Sequence, residues 1–266
     1  MTTTGFELEV SYGHRNVIDG LRSIGMTDYT RLHGYHCGCE HCQPRPWFGP
    51  QQKWFKAQSD CTADGEFISG IFDYGSEALD HAIAGLGHVL LRAAGCDTNG
   101  SVGNHVHVGR EVLDNSAGAM LRLVRLFGRY AFDLQEIAAA NRHNMRTYNG
   151  HIGIPAATDE LWTATDDGNG GRYYPEDLLR TTGHTLAIKS RTVEFRLWNS
   201  TKAPWRIRTH VGLSNAFVQA AVAGVDTTHD DDRALEDVIG DFLDADTWAG
   251  ILRQRYSKGG LANGQA

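Results

Sequence analysis

"GNHVHVGR" occupies residues 103–110, and its alternation reads as a β-strand with Val106 and Val108 on one face. Side chains at i and i+2 of a strand point the same way, so His105 and His107 share the other face. Three further stretches repeat the pattern. "FELE" (6–9) places Glu7 beside Glu9, "VEFR" (193–196) places Glu194 beside Arg196, and "GEFIS" (65–69) brings in Glu66 shortly after Asp60 ends the preceding strand. Phe6, Leu8, Val193, Phe195 and Leu197 surround these residues and favour burial. The solvated face of an antiparallel sheet would alternate in the same way. Such a face draws mainly on Thr, Lys, Gln and Ser, whereas these positions hold mostly Glu and His. Carboxylates brought together repel one another and need a cation. Mg²⁺ takes oxygen ligands and bridges substrate phosphates. Imidazole can join a Mg²⁺ or Mn²⁺ site, or donate to phosphate. One arginine among them suits an anionic group, because guanidinium forks onto carboxylate or phosphate. The four strands therefore point to a sheet face that holds divalent metal and a nucleotide. No Walker-type glycine loop and no dinucleotide fingerprint follows any strand, which leaves the phosphates to the metals.

The rest of the chain supplies a frame for that sheet. Strands are expected over 5–13, 52–60, 65–75, 104–112, 184–190 and 192–200, with a turn "CTAD" between the second and third. Helical spacing marks 16–26, 76–95 with Ser76 as N-cap, 116–139, 204–224 with Pro204 in its first turn, and two shorter helices over 230–243 and 244–257. Residues 141–180 read as an exposed polar loop region, and the tail from Lys258 as frayed. Strands and helices mix without strict alternation. The class is therefore α+β, an antiparallel-rich sheet covered by helices, arranged as a single catalytic domain over 1–266 whose helical C-terminal part starts at about 204.

Composition narrows the function. The 266 residues carry a formal net charge of -7, which disfavours a nucleic-acid binder that relies on a basic face. No run of about 18 apolar residues marks a membrane span, and "MTTTGFELEV" lacks a secretory signal. The expected compartment is the cytoplasm. Five cysteines, an odd number, do not make a disulfide framework in that setting.

Three of those cysteines fall in "HGYHCGCEHC" (33–42), an insertion that extends to about residue 50. Cys37, Cys39 and Cys42 with one imidazole form a zinc ligand set. His36 and His41 are the nearest candidates for the fourth position, and Cys61 is an alternative. A reduced, metal-free loop or a redox role would also account for the cysteines. Cys96 reads as a small buried residue.

Taken in order, "GFELE", "SDCTADGEFIS", "GNHVHVG" and "RTVEFRLWNST" resemble the motifs of the amidoligase family, within the glutamine synthetase and glutamate–cysteine ligase fold. The resemblance spans roughly residues 5–220. It implies a curved antiparallel sheet with helices on its outer face. It also implies ATP-dependent joining of a carboxylate to an amine through an acyl phosphate. By motif, Glu7, Glu9, Glu66, His105 and Glu194 correspond to ligands of Mg²⁺ or Mn²⁺, with His107 beside them as part of the ATP site. Arg196 corresponds to the arginine that faces the phosphoryl group. Asp60 is a candidate to take the proton of the incoming amine. Arg142 and Tyr148, in "NRHNMRTY", lie where the fold places substrate contacts. The chain departs from the family at Asp60-Cys61-Thr62, where Asp-Gly-Ser is common, and at Gly70, where proline is frequent; both bear on the acceptor pocket. The implied partners are small-molecule or peptide carboxylates and amines, with a homo-oligomer open. A phosphotransferase of the same fold and a non-catalytic zinc-containing binding protein are the competing readings.

Overall fold

A computed structural model of the protein describes residues 2–34, 54–60, 63–98, 102–138, 186–228 and 230–262. Among them, seven strands form one sheet: β1 (Thr3–Val10), β2 (Phe55–Gln58), β3 (Gly65–Ser69), β4 (Phe72–Asp73), β5 (Gly103–Gly109), β6 (Leu186–Ile188) and β7 (Thr192–Asn199). The strand order is β2-β3-β1-β5-β7-β6, with β4 also on β1, and every pairing is antiparallel. Seven α-helices among the described residues accompany it: α1 (His14–Ser23), α2 (Glu77–Arg92), α3 (Glu111–Asp114), α4 (Ala119–Ala138), α5 (Pro204–Val222), α6 (Leu235–Ile239) and α7 (Ala245–Ala262). No helix among the described residues is long and apolar enough to cross a membrane.

One face of the sheet is apolar and carries the helices. Phe6, Leu8, Val10, Val106, Val108, Val193 and Phe195 are buried there, together with Leu79, Leu86, Phe127, Val211 and Phe217 of the helices. Phe127 meets Phe195 and Phe217 edge-on, with ring centroids 5.8 and 6.4 Å apart, an arrangement aromatic quadrupoles favour. Several polar groups on this side are paired. Trp198 stacks on His210 at 4.8 Å and donates its indole N–H to Ser214 Oγ at 3.1 Å. Asn104 Nδ2 donates to His210 Nδ1 at 3.0 Å.

Helices α5 and α7 meet through two notches. A Cβ on Gly212 would lie 1.8 Å from Thr247 Oγ1, and a Cβ on Gly250 would lie 1.8 Å from Thr209 Oγ1. Each threonine fills the space the opposite glycine leaves open, so the two backbones approach closely.

Several sequence expectations shift in register. Ser76 caps α2 by accepting from Leu79 N–H at 3.3 Å, and Pro204 opens α5, both as expected. The strand expected over 65–75 is interrupted. Glu7 pairs with Ile68 and Thr4 with Phe72, so the segment carries one more residue than β1 between those pairs. That extra residue makes a bulge, and Ser69 Oγ takes over as acceptor for Phe6 N–H at 2.8 Å. The strand expected over 104–112 ends at Gly109. Arg110 turns away to clamp Asp114 at 3.0–3.1 Å, and α3 begins there. Helix α1 starts at His14 rather than Asn16. The segment 230–243 yields the short α6 followed by a 3₁₀ turn at Gly240–Phe242. Helix α7 runs on to Ala262, into the stretch expected to fray.

Candidate metal centre

The strand register itself assembles the polar face. Glu9 lies opposite Glu66, Glu7 opposite His105, and His107 opposite Glu194. Three neighbouring pairs of strands therefore each contribute an acid–acid or acid–imidazole pair. Directly opposed residues of an antiparallel pair have Cβ atoms about 5 Å apart, close enough for their end groups to converge. A bulge in β7 completes the arrangement. Asn104 pairs with Trp198 but Val106 with Phe195, so β7 holds one extra residue there. Phe195 and Trp198 can then both reach the helices while Glu194 and Arg196 remain with the polar face.

The distances are short. His105 Nδ1 is 3.3 Å from Glu7 Oε2 and 3.5 Å from Glu194 Oε1, and its Nε2 is 3.8 Å from Glu9 Oε1. His107 Nε2 is 3.0 Å from Glu7 Oε1 and 3.9 Å from Glu194 Oε1. Arg196 Nη1 donates to Glu194 Oε1 at 2.9 Å. Glu9 Oε2 accepts Gly103 N–H at 2.5 Å, which tethers β1 to the start of β5. Among the described residues two groups could hold a cation: Glu7, His107 and Glu194, and Glu7, Glu66 and His105. Within each, one ligand atom per residue lies within 4.8 Å of the others, and Glu7 belongs to both.

Burial sets the electrostatics. The Glu194 side chain is only 2 % exposed and that of Glu9 7 %. Burial acts to raise the Glu7 carboxyl, but the charge of His107 and a hydrogen bond from His105 hold it well below its usual range. Burial likewise opposes ionisation of Glu194, and His107, Arg196 and His105 overcome it, so that its pKa also lies low. His107 runs the other way. Burial would discharge it, but the neighbouring Glu7 and Glu194 carboxylates raise its pKa. Glu66 is pushed up to about 9 by burial first and then by the charge of Glu7, against a hydrogen bond from Gln58. At neutral pH the proton on Glu66 thus offsets negative charge that a divalent cation would otherwise balance, and the raised His107 acts in the same direction.

The donor set among the described residues, carboxylate oxygen with imidazole, fits a divalent cation of the Mg²⁺ or Mn²⁺ kind. Two buried atoms support the fit. His107 Nε2 and Glu194 Oε2 make ion-pair approaches but no properly directed hydrogen bond among the described residues, and a bound cation is one partner that would satisfy both.

Of the residues singled out from sequence, Glu7, Glu9, Glu66, His105, His107, Glu194 and Arg196 thus come together on one face. His107 is integral, since it carries the shortest of the described contacts from an imidazole to Glu7. Asp60 stands just past the end of β2, the strand whose Gln58 donates to Glu66 Oε2 at 2.8 Å. Arg142, Tyr148, Cys61 and the zinc-loop residues Cys37, Cys39, Cys42, His36 and His41 lie outside the described residues. Cys96 is a buried free thiol, and burial raises its pKa.

Two participants escaped the sequence reading. Gln58 was one. The other was Lys189, whose Nζ lies 3.1 Å from Glu194 Oε2. The register holds the signal: Ala187 pairs with Glu194, and Lys189 shares a face with Ala187.

A groove of about 530 Å³ opens elsewhere, between α2, α5 and α7, and is lined by Ile83, Trp205, Arg208, Asp246 and Arg253 among others. It belongs to the helical layer and contains no residue of the polar cluster. No family model matches the chain, and no curated protein matches it.

Proposed function

We propose that the chain is an ATP-dependent carboxylate–amine ligase built on a glutamine-synthetase-like sheet. The observation that carries this reading is the pair of three-residue cation groups that share Glu7 on an antiparallel sheet, with Arg196 held against Glu194. Glu7, His107 and Glu194 would hold one divalent cation, and Glu7, Glu66 and His105 a second, with Glu9 alongside. Bound there, such cations polarise phosphoryl oxygens and neutralise the charge that repels a carboxylate nucleophile.

The chain's own residues have separate parts. Glu194 and Glu7 stay ionised and present anionic oxygens at neutral pH. His105 and His107 join them and limit their mutual repulsion. Arg196, whose side chain is 34 % exposed, would turn its guanidinium toward the equatorial oxygens of a transferred phosphoryl group. The Glu9 carboxylate, anchored by Gly103 N–H, fixes the spacing of β1 and β5 beneath the reacting groups. Asp60 is the candidate to accept the proton of the attacking amine.

The test is nucleotide turnover by the purified chain with Mg²⁺ or Mn²⁺. Candidate amino acids and peptides are supplied as carboxylate and amine. ADP release that requires both partners, and stops in Arg196→Ala, is the expected result. A stable phosphorylated acceptor formed with no amine would replace the ligase reading by a phosphotransferase. Failure of any nucleotide to bind in the presence of Mn²⁺ would remove both.

A further inference from the structure

We infer that Lys189 is a tethered counter-cation that divalent metal displaces from Glu194, and that its released ammonium then serves the nucleotide phosphates. The inference rests on the ligase reading for its second half and on the cation site alone for its first.

Lys189 Nζ lies 3.1 Å from Glu194 Oε2, while Arg196 Nη1 holds Oε1 of the same carboxylate at 2.9 Å. The two ends of the lysine contact differ sharply: the Glu194 side chain is 2 % exposed and the Lys189 side chain 51 %. A buried anion is thus reached by a cation whose stem remains in solvent. Glu194 Oε2 makes no directed hydrogen bond in this contact, so charge and not geometry holds the ammonium in place. A divalent ion carries twice that charge and binds oxygen directly, so it competes well for the same carboxylate.

The main chain under Lys189 is fixed independently. Lys189 N–H donates to Thr192 O at 2.8 Å and closes the β6–β7 turn. Arg110 then pins that turn from the end of β5. Its Nη1 donates to Lys189 O at 2.9 Å and its backbone N–H to Arg191 O at 3.0 Å. The Arg110 guanidinium is itself clamped on Asp114. Only the side chain of Lys189 is therefore left to move. Lysine suits such a movement, because its ammonium is a compact, strongly hydrated point charge on a flexible stem, and it is a common phosphate binder. An ammonium released beside a cation-bound nucleotide finds phosphate oxygens as the nearest new anions.

Two titrations on the full chain test this, using Lys189→Met, which keeps length and loses charge. Free Mn²⁺, followed by electron paramagnetic resonance without nucleotide, should show Lys189→Met binding the ion about fivefold more tightly than the parent, in line with a half-exposed ion pair. Lys189→Arg, which retains the charge, should stay near the parent. With Mn²⁺ saturating, ADP binding followed by calorimetry should weaken several-fold in Lys189→Met. The two effects thus have opposite signs, which loss of folding does not produce. Unchanged or weaker Mn²⁺ binding in Lys189→Met would overturn the displacement. Tighter Mn²⁺ binding with unaltered ADP affinity would overturn the transfer to phosphate. If the parent and Glu194→Gln bind Mn²⁺ equally, the cation site itself is wrong. If the parent binds Mn²⁺ but no nucleotide, the ligase reading fails while the displacement stands.

Discussion

The two faces of β1 and β5 are made by the same strands in alternation, yet they obey opposite rules. Toward the helices, Phe6, Leu8, Val106 and Val108 are buried among apolar partners, and that side gains from exclusion of water. Toward the other side, Glu7, Glu9, His105 and His107 are also largely shielded, but burial opposes the charge of Glu7 and of His107. One face is stabilised by being closed. The other gathers carboxylates that need cationic neighbours, a part that a bound cation would share. A strand one residue out of register would exchange the two faces, and this makes the pairing strongly specified.

The contrast can be broken most forcefully on the apolar side. Leu8→Ala, at a fully buried position, should cost about 2–5 kcal/mol in urea unfolding. Cation binding should act on the polar side with the opposite sign. Mn²⁺ at about 100 times its Kd should add about 2.7 kcal/mol by mass action. Glu194→Gln should erase that gain, as read from melting temperatures with and without the ion.

A smaller effect belongs to neither face and calibrates both. Asp244 accepts Thr247 N–H at 2.8 Å at the start of α7, pairs with Arg208 Nη2 at 3.1 Å, and accepts from Tyr74. Burial opposes its ionisation, but Tyr74, Thr247 and Arg208 outweigh burial, so its pKa is depressed. Its stabilisation is therefore present above the unfolded carboxylate pKa of about 3.9 and is lost as pH falls through the folded value. Asp244→Ala should cost about 1–2 kcal/mol at neutral pH, and the parent should converge on it in acid. The smallest change is expected from Glu66→Gln. Glu66 is already neutral at pH 7, being pushed up to about 9, and the amide reproduces a protonated acid. Stability should shift by less than about 1 kcal/mol, the net worth of one hydrogen bond, while Mn²⁺ affinity falls. A large loss of stability in Glu66→Gln would show that the acid is ionised in the fold.

Much of this contrast was legible in the alternation alone. "FELE", "HVHV" and "VEFR" pointed to most of the cluster and "GEFIS" added Glu66, because a period of two leaves little freedom about which side chains share a face. What the alternation could not supply was pairing. The bulges in the β3–β4 segment and in β7 each depend on which residue of a partner strand lies opposite, a property of two segments distant in sequence. Lys189 was hidden for the same reason. Its importance comes from the Ala187–Glu194 register, and one half-exposed lysine beside a turn carries no signal of its own. The end of β5 was misplaced because the carbonyl of Arg110 accepts from the N–H groups of Leu113 and Asp114 and so starts α3.

The notches between α5 and α7 also have a directional meaning. "THVG" (209–212) and "TWAG" (247–250) present the same order of residues, a threonine and then a glycine three positions later. Run against each other, the two copies match twice, with threonine entering glycine at both ends. Run side by side, they would set threonine on threonine and glycine on glycine, a clash beside a void. The connection thus works as a keyed joint: a single short word, written twice, tells the last helix which way to point.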